Sequence, residues 1–132
     1  MTEPTVPHEI IVGVDTHKDV HVAVAIDHGG RTLGTKEVCT TQRGSTALHE
    51  WATAFAPTVR YAIEGTGSYG AGLARYLAKL GCEVTEVRGP NRKLRHDRGK
   101  SDPIDAEAAA RAVLAGTATG IPKDGDVRRQ DW

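Results

Sequence analysis

Four carboxylates stand where their types and spacing suit one kind of chemistry. Asp15 follows the apolar run Ile10-Ile11-Val12-Gly13-Val14, and Glu64 follows Val59-Arg60-Tyr61-Ala62-Ile63. Asp102 and Asp105 are three apart around Pro103, a spacing that puts both on one helix face with Cβ atoms about 5–6 Å apart. If the two apolar runs are adjacent parallel strands, Asp15 and Glu64 leave the sheet at one edge. Four converging carboxylates repel one another unless cations lie between them. Mg²⁺ or Mn²⁺ suits such a site, being hard and taking carboxylate oxygens plus water. Two such ions about 3.5–4 Å apart activate a nucleophile and stabilise the leaving oxygen in phosphodiester cleavage or strand transfer.

Each acid also has a plainer reading. Asp15 can begin a turn, and Glu64 before Gly65 can be a solvated strand end. Asp102 as N-cap, Pro103 at the first helical position and Asp105 in the first turn make a good helix start with no catalysis implied. The readings are compatible, because a metal ligand at a helix start can still cap it.

Directly before the acidic pair, residues 88–100 hold six cations, Arg88, Arg92, Lys93, Arg95, Arg98 and Lys100, against the single acid Asp97. In isolation such a run is a solvated face; beside metal ligands it becomes a ridge that neutralises phosphates. Arg111 either extends this ridge or is simply exposed. His17 and Lys18, next to Asp15, are positioned to touch a substrate phosphate or to form an ordinary polar turn. Gly65-Thr66-Gly67-Ser68-Tyr69-Gly70 opens a helix with free amides. It lacks the lysine of a P-loop and the full dinucleotide fingerprint, so it reads as a flexible loop.

The elements that must carry these residues follow from periodicity. Ile10 to Val14 is nearly unbroken apolar sequence, as in a strand buried on both faces. Val20 to Ile26 alternates larger and smaller apolar residues, predicting one better-buried face. Asp27-His28-Gly29-Gly30 is turn chemistry, and Arg31 to Thr40 reads as a third, more polar strand. Leu48, Trp51, Ala52 and Phe55 form a helical stripe ended by Pro57. Residues 59–63 make a fourth strand, and Leu73, Tyr76, Leu77 and Leu80 a second helical stripe with Gly81 as left-handed cap. Glu83 to Val87 reads as a fifth strand. Pro103 to about Ala115 is an alanine-rich helix stopping at Gly116. The order β-β-β-α-β-α-β-α predicts an α/β fold: a mixed five-stranded sheet with helices on both faces and chemistry at the strands' C-terminal edge.

The chain has 132 residues, the size of one domain. Lys plus Arg equals Asp plus Glu at 17 each, so global charge selects no partner and any basic surface must be local. Apolar stretches fall far short of the roughly 20 residues of a membrane helix, and MTEPTVPHEI has no signal-peptide pattern. Cys39 and Cys82 lie apart with no metal-binding spacing, which predicts reduced thiols in a cytoplasm. Aromatics are only 5%, too few for base stacking to be the main work of the surface. Residues 1–9 are expected to be a disordered N-terminus, 10–116 the folded domain and 117–132 a flexible tail.

Three segments, GVDTHKDVHVAVAID, AIEGTGSYG and GKSDPIDAEAAAR, resemble the N-terminal catalytic domain of the DEDD insertion-sequence transposases, related to Piv-type DNA invertases. The likeness runs from residue 10 to about 122. It implies a RuvC-like, ribonuclease H fold, with the acidic tetrad on Asp15, Glu64, Asp102 and Asp105. By resemblance these residues bind Mg²⁺ or Mn²⁺ and cut DNA during transposition, in a homo-oligomer and with a structured guide RNA as a further partner. The family continues through a helical linker into a second domain carrying a nucleophilic serine. This sequence ends at Trp132, and Ser45, Ser68 and Ser101 do not match that serine's context, so a truncated copy is expected.

Two other functions compete. One is a non-catalytic nucleic-acid-binding remnant or regulator, with salt-sensitive binding through Arg92, Lys93 and Arg95 and no cleavage. The other is an actin-like or sugar-kinase-like phosphotransferase fragment, since those folds also open on a strand ending in Asp. That fragment needs a second domain to close over a nucleotide, and 132 residues leave no room for one.

Overall fold

A computed structural model describes residues 8–65, 67, 69–87 and 103–116. Among these residues, five strands and three helices follow in the expected order: β1 (Glu9–Asp15), β2 (Val20–Asp27), β3 (Thr32–Cys39), α1 (Gln42–Thr53), β4 (Thr58–Glu64), α2 (Ala71–Lys79), β5 (Glu83–Val87) and α3 (Pro103–Leu114). The strands form one sheet in the order β3-β2-β1-β4-β5. β1 to β3 are an antiparallel meander, whereas β4 pairs in parallel with both β1 and β5. The architecture is the mixed α/β, ribonuclease H-like sheet with helices on both faces.

Side-chain alternation divides the core in two. Ile10, Val12, Val14, Ala23, Ala25, Tyr61 and Ile63 face α1 and α2, whose Leu48, Ala52, Leu73 and Leu77 complete that layer. Ile11, Val22, Val24, Ile26 and Ala62 face α3, which contributes Ala106, Ala109, Ala110 and Val113. This corrects the reading of β2 as a strand with one better-buried face. Residues 21–26 are all buried, because α3 covers Val22, Val24 and Ile26 while the small Ala23 and Ala25 fit beneath the opposite helices. β3, at the sheet edge, keeps the polar, partly exposed pattern expected of it.

Helix ends follow local chemistry. Thr41 caps α1, its Oγ1 accepting from the Gly44 amide at 3.0 Å. Gly81 adopts φ 87°, and its N–H donates to the Ala78 carbonyl at 2.9 Å while Cys82 N–H reaches Leu77 O. These bonds satisfy the orphan carbonyls at the end of α2 in the left-handed manner that glycine permits. Gly116, at φ 75°, follows α3 in the same region of backbone space.

Candidate functional site

β1 and β4 run parallel with Asp15 and Glu64 as register partners, one at the last position of each strand. Adjacent strands lie about 4.8 Å apart, so the two carboxylates leave the sheet side by side. Alternation gives their face. Asp15 is two residues beyond Gly13, which lies under α3, and Glu64 is two beyond Ala62, which belongs to the α3-side core. Both point to the α3 side, and both are buried, at 5% and 7% exposure.

The third acid arrives through a close approach of backbone to backbone. A Cβ on Gly13 would collide with the Ala106 carbonyl oxygen and come within 2.7 Å of the Ala110 nitrogen. Only glycine at this position lets α3 lie directly on β1. The far end of α3 reaches the opposite edge, where Arg111 Nη1 and Leu114 lie against the Gly30 turn. α3 therefore runs antiparallel to β1, and its first turn, with Asp105, lies at the edge that carries Asp15 and Glu64. Asp105 is partly buried and also sits where an acid complements the helix dipole.

Asp102 lies outside the described residues, as do Arg88, Arg92, Lys93, Arg95, Arg98 and Lys100, and the proposed terminal segments apart from residues 8 and 9. Among the described residues, no three His, Cys, Asp or Glu side chains form a metal-holding group. Arg111 is exposed and pairs with Glu107 at 2.7 Å near the far end of α3.

The β1–β2 turn supports the two strand-end acids in ways that sequence reasoning does not reveal. His17 Nε2 lies 3.1 Å from Asp15 Oδ2, so His17 contacts the acid as well as being placed beside it. Thr16 Oγ1 donates to the Glu64 carbonyl at 2.6 Å, tying the turn to the end of β4. The Gly65 turn is built around that contact, since Gly65 has φ 89° and a Cβ there would collide with Thr16 Oγ1. Lys18 is exposed. His21 is buried at 2% exposure, and its Nδ1 accepts from the His17 amide at 3.4 Å. Burial, then the neighbouring His17, lowers its pKa to about 4 against a smaller opposing pull from Asp15. His21 is therefore neutral at physiological pH. The spacing His17-x-x-x-His21 is visible in sequence, but nothing local shows that a turn folds one ring onto Asp15.

Carboxylate oxygens such as those of Asp15 and Glu64 are hard donors, of the kind that takes a small divalent cation rather than a soft or redox metal. His17 can fix the orientation of Asp15 as an outer partner. A mixed sheet of this order with acids at the C-terminal edge of β1 and β4 and at the start of the covering helix defines a ribonuclease H-like nucleic-acid-processing domain. The DEDD transposase family of the IS110 type, described as "Transposase", matches residues 12–129. The chain belongs to that family, which makes it a transposase with DNA as its partner. None of the curated proteins matches the chain. Among the described residues, no helix is long and apolar enough to cross a membrane.

Proposed function

We propose that this chain is the DNA-cutting domain of the transposase, with Asp15, Glu64, Asp102 and Asp105 as ligands for Mg²⁺ or Mn²⁺. The observation that carries this reading is the Asp15–Glu64 register pair on the α3 face, at the edge where α3 begins. Divalent ions held there would supply Lewis-acid polarisation of the scissile phosphate and a more acidic attacking hydroxyl. Asp15 and Glu64 supply fixed oxygens from rigid strand ends. His17 holds the Asp15 carboxylate, and Thr16 anchors the end of β4 through the Glu64 carbonyl. Gly13 sets the depth at which α3 brings Asp105 to the edge. Arg88, Arg92, Lys93, Arg95, Arg98 and Lys100, with Lys18 on the β1–β2 turn, would neutralise backbone phosphates. The same cations suit a structured guide RNA.

The test is nicking of supercoiled DNA carrying element ends by the purified chain. Activity with Mg²⁺ or Mn²⁺, lost with EDTA and in both Asp15→Asn and Glu64→Gln, supports the reading. DNA binding with no cleavage under either metal would replace it with the non-catalytic nucleic-acid-binding module.

A further inference from the structure

On the opposite face of the sheet, between α1, α2 and the start of β2, lies a cavity of about 780 Å³. Its chemistry is not that of the acidic edge. We infer that this cavity is a second nucleic-acid contact, holding about one or two nucleotides of a single strand by their phosphates and one stacked base.

The lining carries the inference. Arg75 and Lys79 both line the cavity from α2, and they are four residues apart, so they share a helix face. Like charges at this spacing disfavour the helix unless an anion lies between them. No carboxylate is among the described lining residues, and neither cation makes an ion pair among the described residues. Two of the chain's three tyrosines, Tyr69 and Tyr76, also line it. Tyr76 is held by a 3.0 Å hydrogen bond between its hydroxyl and Thr46 Oγ1. Tyr69 is 51% exposed, a large ring presented to solvent at the cavity mouth. The overall scarcity of aromatics therefore hides a local concentration of them.

His21 adds a ring nitrogen to the lining. Its Nδ1 is occupied as acceptor of the His17 amide, which leaves the proton of the neutral ring on Nε2. Nε2 has no hydrogen-bond partner among the described residues, and the side chain, 2% exposed, lines the cavity. A ring N–H on the lining of a cavity with two cations suits an anionic oxygen. Cations with an exposed ring are the combination that holds a single strand without reading its sequence, and the volume is that of a site enclosing a small organic ligand.

Position favours a strand over a free nucleotide. His17 contacts Asp15 through its ring and His21 through its amide, so the cavity opens at the same sheet edge as the acids, across the sheet from them. A flexible strand can round that edge and occupy both. The cavity needs no metal, so its test stands or falls separately from cleavage.

Fluorescence anisotropy of labelled oligo-dT and oligo-rU, titrated with the full chain in EDTA over a salt series, tests it. The paired substitution Arg75→Ala with Lys79→Ala should weaken binding about tenfold and lower the salt slope by about 1.4, at about 0.7 for each phosphate no longer neutralised. Tyr69→Ala should weaken binding about tenfold with the slope unchanged, as removal of one stacked base does. A control pair beside the Gly30 turn at the opposite sheet edge, Arg31→Ala with Arg111→Ala, should change neither. Weaker binding of the deoxy strand, the ribo strand or both supports the inference and identifies the strand. Binding by the Arg75/Lys79 variant within twofold of wild type on both probes, or an equal weakening in the control pair, overturns it. All three sites are exposed or at a strand edge, and an unchanged thermal midpoint confirms intact variants.

Discussion

The two faces of the sheet are packed on different principles. The α1 and α2 face is filled by bulk: Leu48, Leu73 and Leu77 interdigitate with Ile10, Val12, Tyr61 and Ile63, and the Trp51 and Phe55 rings meet edge to face at 5.2 Å. The α3 face is built from smallness: Ala106, Ala109 and Ala110 let helix backbone rest on Gly13. Bulky packing leaves room to adjust, because long side chains change rotamer at modest cost. Backbone on backbone leaves none. The helix that brings Asp105 to the acidic edge is thus the one whose height is set most rigidly, whereas the face of large side chains carries the cavity lined by Arg75 and Lys79. Precision lies where the acids meet, and space lies across the sheet from them.

Substitution at Gly13 should break this contrast most severely. Gly13→Val needs α3 to lift off β1, and overpacking against backbone should cost more than about 3 kcal/mol. A thermal melt should show a large fall in midpoint or no cooperative transition. Leu77→Ala on the other face should cost about 2–5 kcal/mol through the cavity it leaves, while the chain still folds and Asp105 keeps its place. If Gly13→Val proves milder than Leu77→Ala, the two faces do not differ as described.

The pH dependence of stability sharpens the comparison at the edge between the faces. His21 is neutral in the folded protein, with its pKa lowered by burial to about 4 from an ordinary 6.5. The unfolded chain therefore takes up the proton first. Stability from this residue is complete above about pH 6.5 and falls as pH drops toward 4, by on the order of 3 kcal/mol at most. Below about pH 4 the folded state binds the proton too, and the curve flattens. Urea unfolding of wild type and His21→Gln should show this slope between about pH 6.5 and 4 in wild type alone. The smallest effect expected is at Thr16: Thr16→Val removes the donor to the Glu64 carbonyl and should cost about 1 kcal/mol, while weakening metal affinity if the end of β4 needs that tie.

Much of the fold is legible in the chain, and the exceptions have physical causes. β5 occupies Glu83–Val87 as its sequence predicts, because its alternation is bounded by Gly81 and the glycine-proline segment. The start of α1 is not legible from the stripe at Leu48, Trp51, Ala52 and Phe55. The helix begins at Gln42, where Thr41 supplies the cap and Gly44 packs against Cys39 with no acid in the first turn to announce it. Asp15 and Glu64 are legible because a buried apolar strand must end where a carboxylate can find solvent or a cation. The His17 contact with Asp15 is not, since it depends on how a four-residue turn folds back. The burial of β2 on both faces is hidden for a related reason: alternating Val and Ala mimics a one-sided strand until a helix of small residues covers the other side.

Most depends on whether the acids at the edge of β1, β4 and α3 share a cation. Isothermal calorimetry of Mn²⁺ binding to the wild-type chain, Asp15→Asn, Glu64→Gln and Asp105→Asn addresses this directly. Heat from a saturable site in wild type, absent in all three variants while their circular dichroism stays unchanged, is the predicted result. Manganese affinity unaltered by any one of these substitutions would contradict the shared site.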